Sequence, residues 1–420
     1  MVMQPGDYVK LKLAQFKEIE GTILESYDKN VILLKLKSGY NIGIPKENIL
    51  DSKIIRKFKE KAEDFKIPSE KGKPSIGMVV TGGTIASKLD PKTGGVRALT
   101  HINEFAKFYP KLFEKVNVKK LETPFMLDSS SMSAKEWIQI AKIVEKMLND
   151  SDIKGVIVTH GTDTLHYTSA ALSFFLRDLN KPVVLTYSQR SIDRASSDAE
   201  LNLLCAAEFA LSDAAEVVIV GHASMNDDFC YAFLGSKVRK MHASRRDAFK
   251  SINTKPIAKV WPDKVEFVSE RRPRNKEKVK LDAKFNDKVA LIKFYPGQNP
   301  DILDFYKNKG YKGIIIEATG LGHVASSEAK HNWIPKLKKL IKSGMIICAA
   351  AQTIYGRLNP KVYSAGRELE EAGVIYLEDM LAETALVKLG YALGKTRNIN
   401  KVKEIMLTNL AGEFNELLTE

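Results

Sequence analysis

Cysteine and long apolar runs are both scarce in this chain of 420 residues. Its three cysteines, Cys205, Cys230 and Cys348, are widely separated and form no CxxC pair, so we expect reduced packing residues rather than disulfides or metal ligands. No apolar run reaches the roughly 18 residues needed to span a bilayer. The first residues, MVMQPGDYVK, lack the apolar core of a signal peptide. These absences predict a cytoplasmic protein with no membrane span and no metal cluster.

Basic residues exceed acidic ones, 65 to 51, which gives a net charge of +14 and a field that attracts polyanions. The first 70 residues are nearly neutral, with 13 Lys and Arg against 11 Asp and Glu. The excess lies in two clusters, at 237–250 and 271–280. The second cluster is either an ordinary solvated surface or a contact for RNA phosphates, and the sequence leaves both interpretations open.

The first module, residues 1–70, is predicted to be a small antiparallel β-barrel of the SH3-like kind. Residues 4–50 form short alternating segments, such as YVKLKL from Tyr8 and VILLKLK from Val31, which are separated by PGD, YDKN and KSG. This module carries no catalytic constellation. A charged, Pro- and Gly-punctuated stretch predicts a linker near residues 65–75.

From Ile76 onward, strand-like runs alternate with helical patterns, which indicates an α/β fold with a parallel sheet and crossover helices. The predicted strands are Gly77–Val80, Gly155–Thr159, Val183–Thr186, Val217–Val220, Val289–Lys293, Gly313–Glu317, Met345–Ala350 and Val374–Tyr376. The predicted helices are Ala134–Asn149, Thr168–Leu179, Ala195–Leu211 and Asn332–Ser343. The pattern weakens between Thr254 and Asp287, so we expect two lobes, at 75–270 and 287–420.

Two related stretches organise the body: Gly77-Met-Val-Val-Thr-Gly-Gly-Thr-Ile-Ala86 and Gly155-Val-Ile-Val-Thr-His-Gly-Thr-Asp-Thr164. Each is a buried strand that ends abruptly in Thr, Gly and further hydroxyl residues. Ligands of open parallel sheets bind outside the carboxyl ends of the strands. The two stretches therefore predict one shared active site.

Thr84 is the candidate nucleophile. Gly82 and Gly83 allow a substrate to approach the main chain, so a neighbouring hydroxyl can be exposed and faced by free N–H groups. The alternatives are an ordinary strand-to-loop turn or a phosphate-binding turn, although the stretch matches neither GxxxxGK[ST] nor GxGxxG.

A threonine hydroxyl needs a base, and Thr162, Asp163 and a lysine could supply one. A lysine that loses its proton could draw one through the Thr162 hydroxyl while the carboxylate holds it in place. Lys240 is the candidate. His160 is interpreted as a structural hydrogen-bonding residue rather than a general base.

Serines follow the apolar run Phe125-Met-Leu127, which suggests a further strand end. From there Ser129 could bind a substrate carboxylate, although capping or turn formation would also explain these serines. Ser133, with Glu136 three residues later, predicts the capping box of a helix that starts near Ala134.

The paired TGGTIA at 81–86 and THGTDT at 159–164 resemble the asparaginase/glutaminase family of amidohydrolases, over roughly residues 76–420. The resemblance implies a two-lobed body with Thr84 as nucleophile and Thr162, Asp163 and Lys240 as the second catalytic group. It also implies that Ser129 and Asp163 hold the substrate's α-carboxylate and α-amino groups, and that N–H groups near Gly83 and Thr162 stabilise an oxyanion.

The resemblance also extends to two loops. Thr186-Tyr-Ser-Gln-Arg190 resembles the family's strand-to-loop turn before the next helix, and Gly320-Leu-Gly-His323 resembles the loop through which the C-terminal lobe, often of a neighbouring subunit, closes the site. A homodimer is therefore expected.

The chain departs from simple asparaginases in two respects. The segment from Ser87 to Thr100 has no tyrosine, although simple enzymes place an activating tyrosine there, and Thr93 or Thr100 is the candidate to line this loop. The appended barrel makes the chain similar to the GatD family, whose members are subunits of archaeal tRNA-dependent amidotransferases.

That second resemblance implies a glutaminase or asparaginase that delivers ammonia to a GatE-like partner. The partner would use ATP and Mg²⁺ to amidate glutamyl-tRNA(Gln), and this chain itself would hold no cofactor. Two alternatives remain open: a free-standing cytoplasmic L-asparaginase, and an RNA-binding or scaffolding protein with a vestigial site.

Overall fold

The computed structural model of the chain describes residues 3–14, 17–26, 28–58, 72–89, 96–99 and 102–417. The predicted linker at 65–75 lies mostly outside these ranges. Within them, no helix is both long and apolar enough to cross a bilayer.

The N-terminal module is a five-stranded antiparallel sheet. Its strands are β1 (Tyr8–Leu13), β2 (Glu18–Leu24), β3 (Val31–Leu36), β4 (Asn41–Pro45) and β5 (Ile49–Arg56), in the spatial order β4-β3-β2-β1-β5. Alternate side chains form its core: Val9, Leu11, Ile23, Leu34 and Ile44. The sequence predicted the first four strands but left β5 in a charged segment. Among the described strands no ladder joins β4 to β5, so the sheet is not closed by hydrogen bonds into a complete barrel.

The first lobe of the body contains strands and helices that are arranged around one eight-stranded mixed sheet. In chain order its segments include β6 (Ser75–Val80), β7 (Ser87–Leu89), β8 (Val96–Ala98), α1 (Ile102–Phe108), α2 (Pro110–Lys115), β9 (Asn117–Glu122), α3 (Ala134–Leu148), β10 (Ile153–Thr159), α4 (Leu165–Phe175), β11 (Leu176–Arg177), β12 (Val183–Thr186), α5 (Ala199–Leu211), β13 (Val217–His222), β14 (Cys230–Leu234), β15 (Val238–Lys240), β16 (Phe249–Ser251), β17 (Ala258–Trp261), β18 (Lys264–Phe267) and β19 (Lys280–Leu281). The sheet order is β18-β17-β14-β13-β12-β10-β6-β9.

Five neighbouring strands of this sheet, β9, β6, β10, β12 and β13, are parallel, as the alternation of strands and helices predicted. Both faces are covered: Met78 and Val80 of β6 lie in one core cluster, whereas Val79 lies in the other. This alternation follows from the period of two in a strand. The antiparallel strands β14, β17 and β18 extend the sheet beyond β13. The sheet therefore continues through Phe267, inside the predicted lobe at 75–270 but within the stretch where the sequence pattern weakens.

The second lobe contains four parallel strands: β20 (Val289–Lys293), β21 (Gly313–Ala318), β22 (Ile346–Ala351) and β23 (Ile375–Tyr376). Its helices are α6 (Ile302–Asn308), α7 (Ile334–Lys342), α8 (Ser364–Glu371), α9 (Ala382–Lys395) and α10 (Ile399–Leu407). All eight predicted body strands are present, with small shifts at their ends. The predicted helices are also present, although α4 and α5 differ from their predicted bounds by up to four residues.

Candidate active site

The two motif-bearing strands are adjacent and parallel, so their carboxyl ends meet. Val80 of β6 is in register with Thr159 of β10. Thr81, the residue after β6, is also bonded to the end of β10: its N–H and its hydroxyl both donate to the carbonyl oxygen of Thr159, at 3.2 and 2.8 Å. The TGGT and HGTDT turns consequently leave the same edge of the sheet side by side.

Two glycines allow the turn before Thr84 to approach its neighbours. Gly82 and Gly83 have φ angles of 120° and 78°, in the region that disfavours other residues. A Cβ on Gly82 would lie 2.5 Å from the carbonyl oxygen of Leu127, and a Cβ on Gly83 would lie 2.5 Å from the backbone nitrogen of Gly161. The two turns therefore touch through their backbones, with Thr84 half-buried at the start of a single 3-10 turn.

A short hairpin follows the candidate nucleophile. Strands β7 and β8 pair directly after the 3-10 turn, and the Ser87 hydroxyl donates to the carbonyl oxygen of Gly83 at 2.8 Å. Thr93 and Thr100, the candidates for lining this loop, lie outside the described residues. Tyr109 donates its hydroxyl to the carbonyl oxygen of Ile85 at 2.6 Å, and burial raises its pKa well above the usual value. This phenol is thus a buried structural donor and is not poised as a base.

Lys240 contacts the second motif. Its Nζ lies 2.8 Å from the Thr162 hydroxyl and 2.8 Å from Oδ1 of Asp163. The lysine side chain is 10% exposed, whereas that of Asp163 is 68% exposed. The hydrogen bond from Lys240 holds the pKa of the Asp163 carboxyl below its usual value. The structure therefore assembles the predicted Thr-Asp-Lys group.

Ser129 lies beside the same motif and is almost fully buried. Its Oγ accepts a hydrogen bond from the backbone N–H of Thr164 at 3.3 Å, and its carbonyl oxygen accepts one from the Thr164 hydroxyl at 2.7 Å. The preceding Phe125–Leu127 run is not a strand, contrary to the prediction. The strand in this region is β9, which ends at Glu122, and Leu127 instead donates its N–H to the Thr81 carbonyl oxygen at 3.1 Å.

His160 has the structural role that the sequence suggested. Its Nδ1 lies 2.7 Å from the carbonyl oxygen of Gly161, so this nitrogen donates, and Nε2 accepts from the Thr168 hydroxyl at 2.9 Å. Burial lowers the pKa of His160 to about 4. A fully buried imidazole with both nitrogens bonded is not placed to act as a general base.

The predicted capping box of α3 is also present, with the Ser133 N–H donating to Glu136 at 2.8 Å.

The two further loops named from the resemblance are ordered turns. Asp198 accepts the backbone N–H groups of Gln189 and Arg190 at about 3 Å, which fixes the turn after β12. The Gly320–His323 turn follows β21, and the Tyr376 hydroxyl donates to the Gly322 carbonyl oxygen at 2.7 Å. The contacts of the second turn lie within its own lobe, so its closure over another subunit's site stays a prediction.

The three cysteines are free and buried. Across the described ranges, no group of three or more His, Cys, Asp and Glu side chains is arranged to hold a metal ion. What sequence reasoning missed is the set of ionic contacts behind Lys240, from Lys237 to Asp379 and from Arg239 to Glu383. Only the basic cluster at 237–250 hinted at them.

Comparisons with known proteins agree with this geometry. Residues 75–273 match the family model described as asparaginase, N-terminal, and residues 288–406 match the glutaminase/asparaginase C-terminal domain. The thermostable L-asparaginase from Thermococcus kodakarensis superposes with a TM-score of 0.72 at 32% identity, over 82% of this chain and 100% of that chain. L-asparaginase I from Vibrio cholerae gives a TM-score of 0.68 at 25% identity, with the same coverage. Fold and site thus define an asparaginase-type amidohydrolase body.

The N-terminal module narrows the family further. Residues 3–55 match the GatD N-terminal domain. The GatD subunit of glutamyl-tRNA(Gln) amidotransferase from Pyrococcus furiosus is 48% identical over 98% of this chain and 95% of that protein. The corresponding protein from Pyrococcus abyssi is 47% identical over 97% and 94%. The chain belongs to the GatD family of glutamyl-tRNA(Gln) amidotransferase subunits.

Proposed function

We propose that this chain is the ammonia-releasing subunit of a tRNA-dependent amidotransferase. It hydrolyses the side-chain amide of glutamine, or of asparagine, and the ammonia passes to a GatE-like partner. The partner activates glutamyl-tRNA(Gln) with ATP and Mg²⁺ and converts it to glutaminyl-tRNA(Gln). Nearly full-length similarity to GatD proteins supports this assignment.

The contact of Lys240 with both Thr162 and Asp163 is the single observation that carries the chemistry. A lysine in its neutral form can accept a proton through the Thr162 hydroxyl, while the Asp163 carboxylate fixes its orientation. The same two contacts would stabilise the ammonium that forms. The arrangement is a proton-transfer group placed beside the turn that presents Thr84.

The reaction proceeds in two halves. The Thr84 oxygen attacks the amide carbon, its proton leaves through Thr162 to Lys240, and backbone N–H groups near Gly83 and Thr162 face the oxyanion. The C–N bond then breaks, the leaving nitrogen takes the proton, and ammonia departs. Water next attacks the acyl-threonine ester and releases glutamate or aspartate, which regenerates the Thr84 hydroxyl.

Substrate orientation is assigned to the rest of the site. Asp163, with its exposed carboxylate, pairs with the α-amino group of the substrate, and Ser129, which is bonded to the neighbouring Thr164, receives the α-carboxylate. A homodimer in the cytoplasm, with the Gly320–His323 turn of one protomer closing the site of the other, completes the proposal.

Ammonia release tests the proposal most directly. It is measured from glutamine and from asparagine, with the chain alone and then with its partner subunit and glutamyl-tRNA(Gln). Strong stimulation by the complete set, with a loss of two or more orders of magnitude in Thr84→Ala, is expected.

A free-standing L-asparaginase is the second candidate, because the whole length of an L-asparaginase aligns with the body of this chain. Equal hydrolysis with and without partner and tRNA would favour that alternative. Undiminished hydrolysis by Thr84→Ala would refute the assigned nucleophile in either case.

A further inference from the structure

The short strand that carries Lys240 has different partners on its two sides. Val238 is buried in the core of the first lobe, and Lys240 reaches Thr162 and Asp163 on the same side. Lys237 and Arg239 alternate with them and point to the second lobe, as the period of two in extended chain requires. A rotation or shift of β15 would therefore move Lys240 out of reach of its partners.

Lys237 makes the deeper of the two contacts with the second lobe. Its Nζ lies 2.5 Å from Oδ2 of Asp379, and both side chains are fully buried. The lysine also donates to the Asp379 carbonyl oxygen at 3.2 Å, and the other carboxylate oxygen accepts the N–H of Asn415 at 3.1 Å. Because each charge is paired and bonded, loss of one partner would leave the other charge buried without compensation.

Arg239 makes the second contact. Its Nε lies 2.6 Å from Oε1 of Glu383, which is in the first turn of α9 and only 8% exposed. The next residue of α9, Thr384, donates its hydroxyl to the carbonyl oxygen of Ser236 at 2.9 Å. The start of α9 and the loop before it thus hold residues 236–239 at three points.

We propose that Asp379 and Glu383 are positioning residues for Lys240: through Lys237 and Arg239, they fix β15 so that Nζ of Lys240 meets Thr162 and Asp163. The inference rests on the proposed role of Lys240 in proton transfer. It makes the second lobe responsible for the geometry of a catalytic group in the first lobe. Neither Asp379 nor Glu383 needs to contact the substrate for this effect.

Glu383→Gln and Asp379→Asn test the proposal in glutamine hydrolysis by the full chain with its partner. We expect kcat to fall about 10- to 100-fold, since a shift of about 1 Å in a reacting group has a cost of that size. KM should change much less, because β15 does not carry the groups assigned to bind the substrate. Glu383→Gln remains informative if Asp379→Asn does not fold, because the Arg239 side chain is 30% exposed and can be solvated.

A double-mutant cycle separates positioning from general damage. A residue that acts through Lys240 has nothing left to position in Lys240→Met, so Glu383→Gln should cause almost no further loss there. A merely structural role would give the same fold-loss in both backgrounds. Additive losses would therefore overturn the proposal.

Glu216→Gln is the matched control for Glu383→Gln. Glu216 is buried to the same degree as Glu383, with a side chain that is 7% exposed, and it pairs with Arg272 at 2.5 Å, but its side chain makes no described ion pair or hydrogen bond with residues 236–240. This variant should lose stability like Glu383→Gln, with kcat within about two-fold of the native value. A kcat loss in Glu216→Gln equal to that in the two test variants, or unchanged kcat in folded Glu383→Gln, would refute the positioning role. Full activity of Lys240→Met would instead refute the proposed role of Lys240 itself.

Discussion

Gly83→Ala should disable the site while leaving most of the fold intact. At a φ of 78°, the added Cβ would lie 2.5 Å from the nitrogen of Gly161 and 2.6 Å from the carbonyl carbon of His160. Both atoms belong to the backbone, so neither can rotate away as a side-chain end could. The TGGT and HGTDT turns would have to separate.

The size of the effect follows from these distances. Ordinary contact begins near 3.4 Å for a Cβ, so the turns must move apart by about 1 Å. A misplacement of about 1 Å in a catalytic group typically lowers the rate about 100-fold. With a ψ of 169°, Gly83 also lies in a backbone region that is essentially restricted to glycine, which adds a stability cost of about 1–3 kcal/mol for alanine. We therefore expect kcat to fall about 100-fold, with a smaller effect on unfolding.

Gly310→Ala is the control for backbone strain. Gly310 has nearly the same φ, 80°, but a Cβ there would meet nothing within 4 Å. Its variant should show the strain as lower resistance to urea, with normal ammonia release from glutamine. A folded Gly83→Ala protein with kcat within about three-fold of native, or an equal kcat loss in Gly310→Ala, would refute the reasoning.

Three further predictions concern single side chains. Lys240→Met should lower kcat at least 100-fold. It should also let the pKa of the Asp163 carboxyl rise towards its usual value, which NMR of the carboxyl group measures. An unchanged Asp163 titration would contradict the assigned hydrogen bond. Burial keeps His160 neutral in the folded chain, with a pKa of about 4, whereas the same side chain takes up a proton near pH 6.5 in the unfolded chain. The free energy of unfolding should therefore be unaffected by His160 above pH 6.5 and should be lower by about 2 kcal/mol at pH 5. Urea unfolding at both pH values measures this loss, and His160→Gln should reduce it. Ser133→Ala should remove the cap of α3 and cost about 1 kcal/mol in the same assay without changing kcat.

The sequence predicted the parallel strands well because they are buried on both faces and consist of apolar runs. Strands β17 and β18 escaped prediction for the opposite reason, since they lie at the antiparallel edge and mix charged with apolar residues. The Phe125–Leu127 run was apolar yet not a strand. Its backbone instead packs against the TGGT turn, where the N–H of Leu127 donates to the carbonyl oxygen of Thr81. Amino-acid composition does not predict a backbone contact of this kind.

Some residues of the candidate site could be predicted from the sequence, and others could not. The glycines and hydroxyl residues at two strand ends indicated a site from chemistry and topology alone. Lys240 was named as the candidate lysine, but its contact with Asp163, 77 residues away, followed only from the family resemblance, since nothing in the spacing brings the two together. The contacts of Lys237 and Arg239 were not predictable, because their partners belong to the other lobe and a buried lysine has the same sequence signature as a solvated one.

Besides the loop that lacks a tyrosine, the chain differs from an L-asparaginase by added length outside the Thr84 site. The L-asparaginase of Thermococcus kodakarensis aligns over its full length with 82% of the chain, and the asparaginase match begins only at residue 75. The additional length is therefore mostly N-terminal, where the β1–β5 sheet lies, and none of the described residues of that sheet is assigned a catalytic role. A module that adds no catalytic group to an amidohydrolase body can change the body's biological use by what it binds or positions. Substitutions in the β1–β5 sheet should consequently alter the stimulation of ammonia release by the partner subunit and tRNA. They should leave amide hydrolysis through Thr84 in the isolated chain unchanged.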